Sequence, residues 1–453
     1  MKTRFLCRAL VGAALLLCAS NASAKEIFVA TNGSDSNAGT STAAPKATLR
    51  VASLIAQNGD TISLRGGTYR WGADQNVSCS GVLIRSYPNE WAIIDGTGVS
   101  YQAVTIYGSN NTVQSLEIKN SSGNGLVVDK ASNVTVRWCR IHNNQQHGIY
   151  ARGDNWNQNY NVVIDGNTLY RNCLANTSTG EGNWPSGIGV TLCHNATVKY
   201  NTVYETRGEG IRMSLTRGGA MFANTIRDCF SIGAYLDHAT DVSLYGNFIY
   251  STGNTSYYRN GTPMMGIQIG NEPYALSNST ARCKIYNNVV VNTASGLRYY
   301  HRSGTGWANC LVANNTFYKS VYALVSLDNG GSAVSGNEFT NNIVQQTGSA
   351  GRFSGSSSGV WFNRNCWSGG ASGGIGSSSD GTIYADPRLS NPASTSYAAT
   401  NYKLQSSSPC IDSAKSLSSH FTTDYERLDR GSAWEMGAFR FQSGTTSASV
   451  RSQ

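Results

Sequence analysis

The stretch SIGAYLDH, residues 231–238, sets a phenol, a carboxylate and an imidazole within four residues: Tyr235, Asp237 and His238. All three can move protons. Two arginines, Arg212 and Arg298, recur at the phase of Tyr235 in the related stretches GIRMSL and GLRYYH, and a guanidinium is well shaped to neutralise a carboxylate. Together these groups suit removal of the proton α to a sugar carboxylate. A polyuronate can be cut by β-elimination or inverted at C5, and both reactions start there. The carboxylate must be neutralised so that the aci-carboxylate intermediate is accessible, and a base and an acid must be supplied. Arg212 and Arg298 would neutralise, Tyr235 or His238 would act as base or acid, and Asp237 would orient or tune one of them.

Residues this far apart in the chain act together only if the chain repeats. Aligned on glycine, the runs stack: GLVVDK from Gly125, GIYARG from Gly148, GIGVTL from Gly187, GIRMSL from Gly210, GAYLDH from Gly233, GIQIGN from Gly266 and GLRYYH from Gly296. ALVSLD from Ala323 continues them, and the spacings of 23, 39, 23, 23, 33, 30 and 27 residues describe one unit with insertions in some turns. A second register agrees. Asn167, Asn201, Asn224, Asn247, Asn288, Asn315 and Asn337 each sit between two apolar runs, as in DGNTLY, KYNTVY and YGNFIY. Stacked side-chain amides can bond along such a column if successive coils lie one strand apart, about 4.8 Å. In GIRMSL, Ile211, Met213 and Leu215 would point inward and Arg212 and Ser214 outward. The pattern predicts an all-β parallel β-helix, a solenoid. The 49 glycines, eight prolines and 13% charged residues fit short strands and tight turns.

Two outward columns follow on the glycine-led strand. The first reads Val127, Tyr150, Gly189, Arg212, Tyr235, Gln268, Arg298, Val325, and the second Asp129, Arg152, Thr191, Ser214, Asp237, Gly270, Tyr300, Leu327. Their ends are bland and their middle is ionisable. His147, Glu209, His238, Glu272 and His301 flank the same strands. Insertions fall here too, at 154–160 and 272–282 after the strand and at 173–186 and 252–264 before it. Loops on both sides of a flat face make a groove. Within NTSYYRNGTP, Tyr257, Tyr258 and Arg259 suit stacking on sugar rings and pairing with carboxylates. The expected catalytic set is therefore Arg212, Tyr235, Asp237, His238 and Arg298. The expected substrate-binding residues are His147, Tyr150, Arg152, Glu209, Tyr257, Tyr258, Arg259, Gln268, Tyr300 and His301. Blander roles compete: Asp237 could only pair with Arg212, His238 could be a solvated turn histidine, and His147 and Glu209 could cap turns. His142 and His194 lie away from the face and read as structural.

The ends of the chain set the compartment. Lys2, Arg4 and Arg8 precede an apolar stretch, Ala9–Ala19, and then Ala22-Ser23-Ala24. That is the form of a secretory signal peptide over residues 1–24, with an apolar run too short to span a bilayer. A secreted or periplasmic protein is expected. Without the leader the net charge falls from +9 to +6, which suits an acidic polysaccharide partner. The basic residues are scattered rather than clustered, so nucleic acid is not expected. No later segment is apolar enough for a membrane, and a monomer is expected. Of eleven cysteines nine remain after the leader, with no C-x-x-C pair to suggest zinc or redox chemistry. Buried thiols and bridges both fit, and no pairing is assigned. No loop has a calcium-ligand spacing, and no cofactor is certain, though groove carboxylates could take up Ca²⁺.

After the leader the chain opens IFVATNGSDSNAGTSTAAPKATLRVASLIAQNGDTISLRGGTYRW and closes YADPRLSN…YKLQSSSPCIDSA…MGAFRF. Over residues 25–440 it resembles right-handed parallel β-helix proteins of the pectate-lyase-like superfamily. The resemblance implies a first strand at Ile27–Ala30, a helix within Lys46–Ala56 capping the open end, and a C-terminal capping segment. The β-helix would span 25–385, its closing segment 386–440, and a disordered tail 441–453, with 352–382 as loose turns near the end of the coil. The candidate site resembles the Tyr/Asp/His/Arg chemistry of alginate lyases and mannuronan C5-epimerases on that fold. It departs from the epimerases' Asp-Pro-His-Asp/Glu stretch, since Ala239 follows Asp237-His238. Neither the acidic calcium cluster of pectate lyases nor the Asp pairs of polygalacturonases are found. The expected activity is a lyase acting on a uronate-containing polysaccharide by β-elimination. The alternatives are a C5-epimerase, an inverting glycoside hydrolase using Glu209, Asp237 and Glu272, and a non-catalytic carbohydrate-binding β-helix.

Overall fold

The computed structural model describes residues 23–443 except 157, 177–183, 274–278, 303, 329–332 and 372. Residues 1–22 of the expected signal peptide and 444–453 of the expected tail lie outside the described residues. The chain winds through three long sheets of 13, 11 and 12 strands, and neighbours within a sheet come from successive passes of the chain. They pair in parallel, as Ser186–Thr191 does with Glu209–Ser214 and Glu209–Ser214 with Ile232–Asp237. The result is a parallel β-helix of about eleven turns.

Steric contact explains the glycine column. A Cβ on Gly210 would stand 2.4 Å from the carbonyl oxygen of Gly233, one on Gly233 2.8 Å from that of Gly266, and one on Gly266 2.5 Å from that of Gly296. No side chain fits between the rungs at these three glycines. Beyond them, Ile188 and Val190, Ile211 and Met213, Ala234 and Leu236, and Ile267 and Ile269 fill one continuous core. The column shifts at its last member. Leu297 pairs with Val325 and Arg298 with Ser326, so Leu324 rather than Ala323 takes the glycine's place. Val325 and Leu327 therefore point inward and are buried, and do not end the outward columns.

The asparagine ladder forms, with one correction. The ladder starts at Asn167, whose Oδ1 accepts from the Cys139 N–H, and from Asn201 through Asn224, Asn247, Asn288 and Asn315 each Oδ1 accepts from the backbone and side-chain N–H groups of the asparagine one coil before. It continues through Asn342 and Asn365, not Asn337. Asn337 sits at another corner, where it accepts from the Cys310 N–H. The ladder satisfies amides that would otherwise be buried unpaired, at a corner where such a group costs about 1–3 kcal/mol. Residues 352–382 are also more regular than expected, because they form a further coil of strands Phe353–Gly355, Val360–Asn363 and Cys366–Ser368.

At the start, Thr48 caps a helix, Leu49–Ile55, by accepting from the Val51 N–H, and Leu49 and Ala52 close the core above Ile27, Ile62 and Val77. At the other end, residues 386–440 lie along the outer face of the later coils. Leu389, Tyr402, Leu404, Met436 and Phe439 pack on Phe248, Val289, Val291 and Ile343, and Phe421 and Trp434 cover Leu311 and Ala313. All nine described cysteines are free thiols, eight of them buried.

Candidate active site

The longest strands of the glycine-led sheet lie at its middle: Ser186–Thr191, Glu209–Ser214, Ile232–Asp237 and Met265–Asn271, followed by Leu297–His301. Their register sets Gly189 beside Arg212, then Tyr235, Gln268 and Arg298. Over this column opens a cleft of about 410 Å³. Arg212, Tyr235, Gln268, Arg298 and Tyr300 line it from the sheet. Glu209 adds to it from the start of its strand, Trp184 and Arg259 from ahead of the strands, and Glu272 and Arg302 from behind them.

Tyr235 is seated by a glycine. Its ring leans over Gly270 on the next rung, where a Cβ would stand 2.4 Å from the phenol oxygen. The Tyr235 hydroxyl donates to Glu272 Oε1 at 3.2 Å. Glu272 is held in turn from below: its backbone N–H donates to Asp237 Oδ1 at 3.2 Å, and His238 Nε2 lies 2.5 Å from its carbonyl oxygen. Ser214 Oγ donates to the other Asp237 oxygen at 3.2 Å.

Asp237 and His238 are thus fully buried and do not reach the cleft. The alternation that points Asp237 off the sheet is correct, but the chain leaving Met265–Asn271 folds back over both groups. They act as supports for Glu272.

Electrostatics divides the remaining groups. Burial, reinforced by the charges of Asp237, Glu272 and Glu209, holds the Tyr235 hydroxyl well above the ordinary phenol value. Burial and then the Asp237 charge raise Glu272 above the usual carboxylate range. Burial raises Glu209 to about 7, against the opposing pull of Arg212 and the Ser186 hydroxyl. Ser186 Oγ donates to Glu209 at 2.8 Å, and Arg212 Nη1 lies 3.4 Å from the same carboxyl oxygen. Arg212 also donates to the Trp184 carbonyl at 3.2 Å. The Arg259 guanidinium lies 4.2 Å over the Trp184 ring, and Arg298 lies 4.3 Å over the Tyr300 ring. Four guanidiniums, those of Arg212, Arg259, Arg298 and Arg302, therefore share one cleft.

Several expected binding residues fall elsewhere. His147 stacks on Tyr150 with centroids 4.2 Å apart, in space left by Gly189, and its Nδ1 accepts from the Ser186 N–H at 2.9 Å. Burial and the nearby Arg212 charge hold His147 well below the usual imidazole range, so it is a neutral packing group. Arg152 pairs with Asp129 at 2.8 Å. Tyr257 lines a separate depression with Arg171 and Arg207, and Tyr258 lies outside the cleft lining. His301 Nδ1 lies 3.0 Å from the Asp328 carbonyl oxygen, also outside the lining. Trp184 and Arg302 are gains that the two columns miss. Arg302 continues the outward phase of Arg298 and Tyr300 by two residues, so extending that phase finds it, whereas Trp184 lies off the phase of its strand, in the insertion ahead of Ser186.

Calcium takes six to eight oxygen ligands, commonly several carboxylates. Among the described residues no group of three or more His, Cys, Asp or Glu could hold a metal ion. Glu209 is tied to Arg212 and Ser186, and Glu272 to Tyr235, in a cleft lined by four cations. This donor set does not fit Ca²⁺, and no step below runs through a metal.

A family model described as Pel9A-like, right handed beta helix region, matches residues 27–320. No curated protein sequence matches the chain. Among solved structures, the complex structure of XylC with xylose superposes with a TM-score of 0.60 at 11% identity, covering 92% of this chain and 98% of that one. Pectate lyase Pel9A superposes at 0.52 with 19% identity, covering 93% and 97%. The PL6 family alginate lyase AlyGC gives 0.52 at 14% identity, covering 84% and 57%. At these identities the likeness is one of fold.

Proposed function

Because the chain belongs to the Pel9A-like right-handed β-helix family, we propose that it is an exported polysaccharide lyase cleaving a uronate-containing chain by β-elimination. The observation that carries this reading is the convergence of Arg212, Arg259, Arg298 and Arg302 over the hydrogen-bonded Tyr235–Glu272 pair. Export rests on the leader form of residues 1–24.

In this mechanism the uronate carboxylate docks between Arg212 and Arg298. Their charge stabilises the aci-carboxylate that forms when the C5 proton leaves. Glu272, made more basic by burial, takes that proton. The electron pair moves into the C4–C5 bond as the C4–O4 bond breaks, and O4 takes the Tyr235 proton. Tyr235, whose raised value keeps it protonated at neutral pH, suits an acid better than a base. Its phenolate then recovers a proton from Glu272 across their hydrogen bond, which resets the site. Asp237 and His238 position Glu272 and touch no substrate.

The test is ultraviolet absorbance of the new C4=C5 bond during incubation with alginate, pectate and glycosaminoglycans. A signal on a uronate polymer is expected, with Tyr235→Phe and Glu272→Gln each lowering kcat about 10²–10⁴-fold. Full activity in Tyr235→Phe would overturn the mechanism. A second reading has its own support: Glu209 and Glu272 both line the cleft, and Glu209, raised to about 7, suits an inverting hydrolase's general acid. New reducing ends without absorbance would select that reading. An altered uronate ratio by NMR without cleavage would select epimerisation.

A further inference from the structure

A second feature lies away from the cleft, at the corner between the 13-stranded and 12-stranded sheets. Register pairs Ala92 with Leu116, Glu117 with Arg140, Arg140 with Thr168, Thr168 with Thr202 and Thr202 with Thr225. Continued by two residues or fewer into the turn, it stacks Trp91, Ser115, Trp138, Gly166, Tyr200 and Ala223 in one column. Aromatic and small residues alternate. The rings are 39%, 54% and 43% exposed, unusual for side chains of this size.

Two facts argue that the rings are displayed rather than left over. Trp138 and Tyr200 both hold left-handed backbone, φ 56°, at a corner where later coils use Gly246, Asn287, Asn314 and Asn341. A bulky residue there costs roughly 1–2 kcal/mol that glycine or asparagine would avoid. The small residues also give the rings room, since a Cβ on Gly166 would stand 2.8 Å from Trp138 Cδ1.

The column has a period and a charge. Aromatics two rungs apart are about 9–10 Å apart, close to the length of two sugar units in an extended chain. Each ring carries a cation: Arg140 lies 5.6 Å from the Trp91 ring, Arg137 4.5 Å from Trp138, and Lys199 5.6 Å from Tyr200. Glu117 and Asp165 hold Arg140 and Lys199, while Arg137 donates to the neutral Gln114. The stripe ends where it meets the closing segment, whose Arg427 lies 5.0 Å from the Tyr200 ring.

We propose that Trp91, Trp138 and Tyr200 form an accessory platform for an extended acidic polysaccharide, stacked on alternate sugars and running along the coil axis. The ligand class rests on the polysaccharide reading of the cleft, but binding here needs no chemistry there. The platform would keep the protein on its polymer between cleavage events.

The experiment is gel retardation by soluble alginate, pectate or a glycosaminoglycan, made in the Tyr235→Phe background so that no polymer is consumed. Trp138→Asn installs the residue that later coils use at the same corner. It is expected to melt no lower than its parent and to weaken retardation about tenfold or more, which is about 1.4 kcal/mol or more. With Tyr235 intact, Trp138→Asn should raise KM on polymer and leave turnover of short oligosaccharides unchanged. Unchanged retardation overturns the platform, and so does a clear fall in melting temperature, which would make the ring a packing group. Retardation by Trp138 in a protein with no lyase activity would sink the cleft reading alone. No retardation by any of these polymers sinks the platform alone.

Discussion

Two arginine–glutamate pairs, each with a buried carboxyl group, stand at opposite ends of a functional scale. Arg430 Nη1 lies 3.8 Å from Glu435, and Arg212 Nη1 lies 3.4 Å from Glu209. In both, burial raises the carboxyl. Arg430, however, is sealed: its guanidinium donates to the carbonyls of Glu435, Gly437 and Ala438 and to Asn287 Oδ1. Burial lowers it to about 10, still charged at neutral pH. Arg212 faces a 410 Å³ cleft with three other arginines. A displaced carboxyl therefore does not mark a site by itself. What separates the two pairs is whether the cation lines a cleft or is closed in by the fold.

The largest effect expected from this contrast is on stability. Arg430→Ala strands Glu435 and several carbonyls in the fold, and breaking such a buried pair costs about 3–5 kcal/mol. The closing segment 386–440 should become protease-sensitive and the melting temperature should fall, while activity measured in the cold persists. Loss of activity with unchanged melting would erase the distinction between the pairs.

Arg212→Ala should do the reverse. Removing one charge-stabilising donor lowers kcat/KM about 10²–10³-fold, or roughly 2.7–4 kcal/mol. The melting temperature should change little, because Glu209, already near 7, takes a proton once its cation is gone. A large stability loss would place Arg212 with Arg430 as a structural residue.

What the sequence could say about these two pairs follows from which contacts are local in the repeat. Glycines 210, 233 and 266 are forced by the carbonyl one rung away, and the asparagine ladder by buried turn amides, so both recur along the middle coils. Their phase carried Arg212, Tyr235 and Arg298 onto one face. The phase slipped where Leu324 replaces glycine, and where Asn337 and Asn342 both follow apolar runs. The ladder corner could be told from its neighbour only by hydrogen bonding. Cover is not local at all: nothing near Asp237 or His238 announces that residue 272 folds over them. Arg430 meets Asn287 across 143 residues, a contact no repeat encodes.

The smallest effect sharpens the cleft side. Glu209 has a folded value of about 7 against an ordinary 4.5, so the native state holds a proton that the unfolded chain has lost. Its contribution is fully present below about pH 4.5 and drains away as pH rises through about 7. Glu209→Gln keeps a neutral partner for Ser186 and Arg212 at every pH. Wild type and variant should therefore melt alike at about pH 4, and the variant should be more stable by about 1–3 kcal/mol at about pH 8. Thermal melts across that window measure the difference directly. A pH-independent gap would mean that Arg212 keeps Glu209 ionised throughout. Glu209 would then resemble a permanently paired structural carboxylate, and the Arg212–Glu209 pair would belong with Arg430 and Glu435.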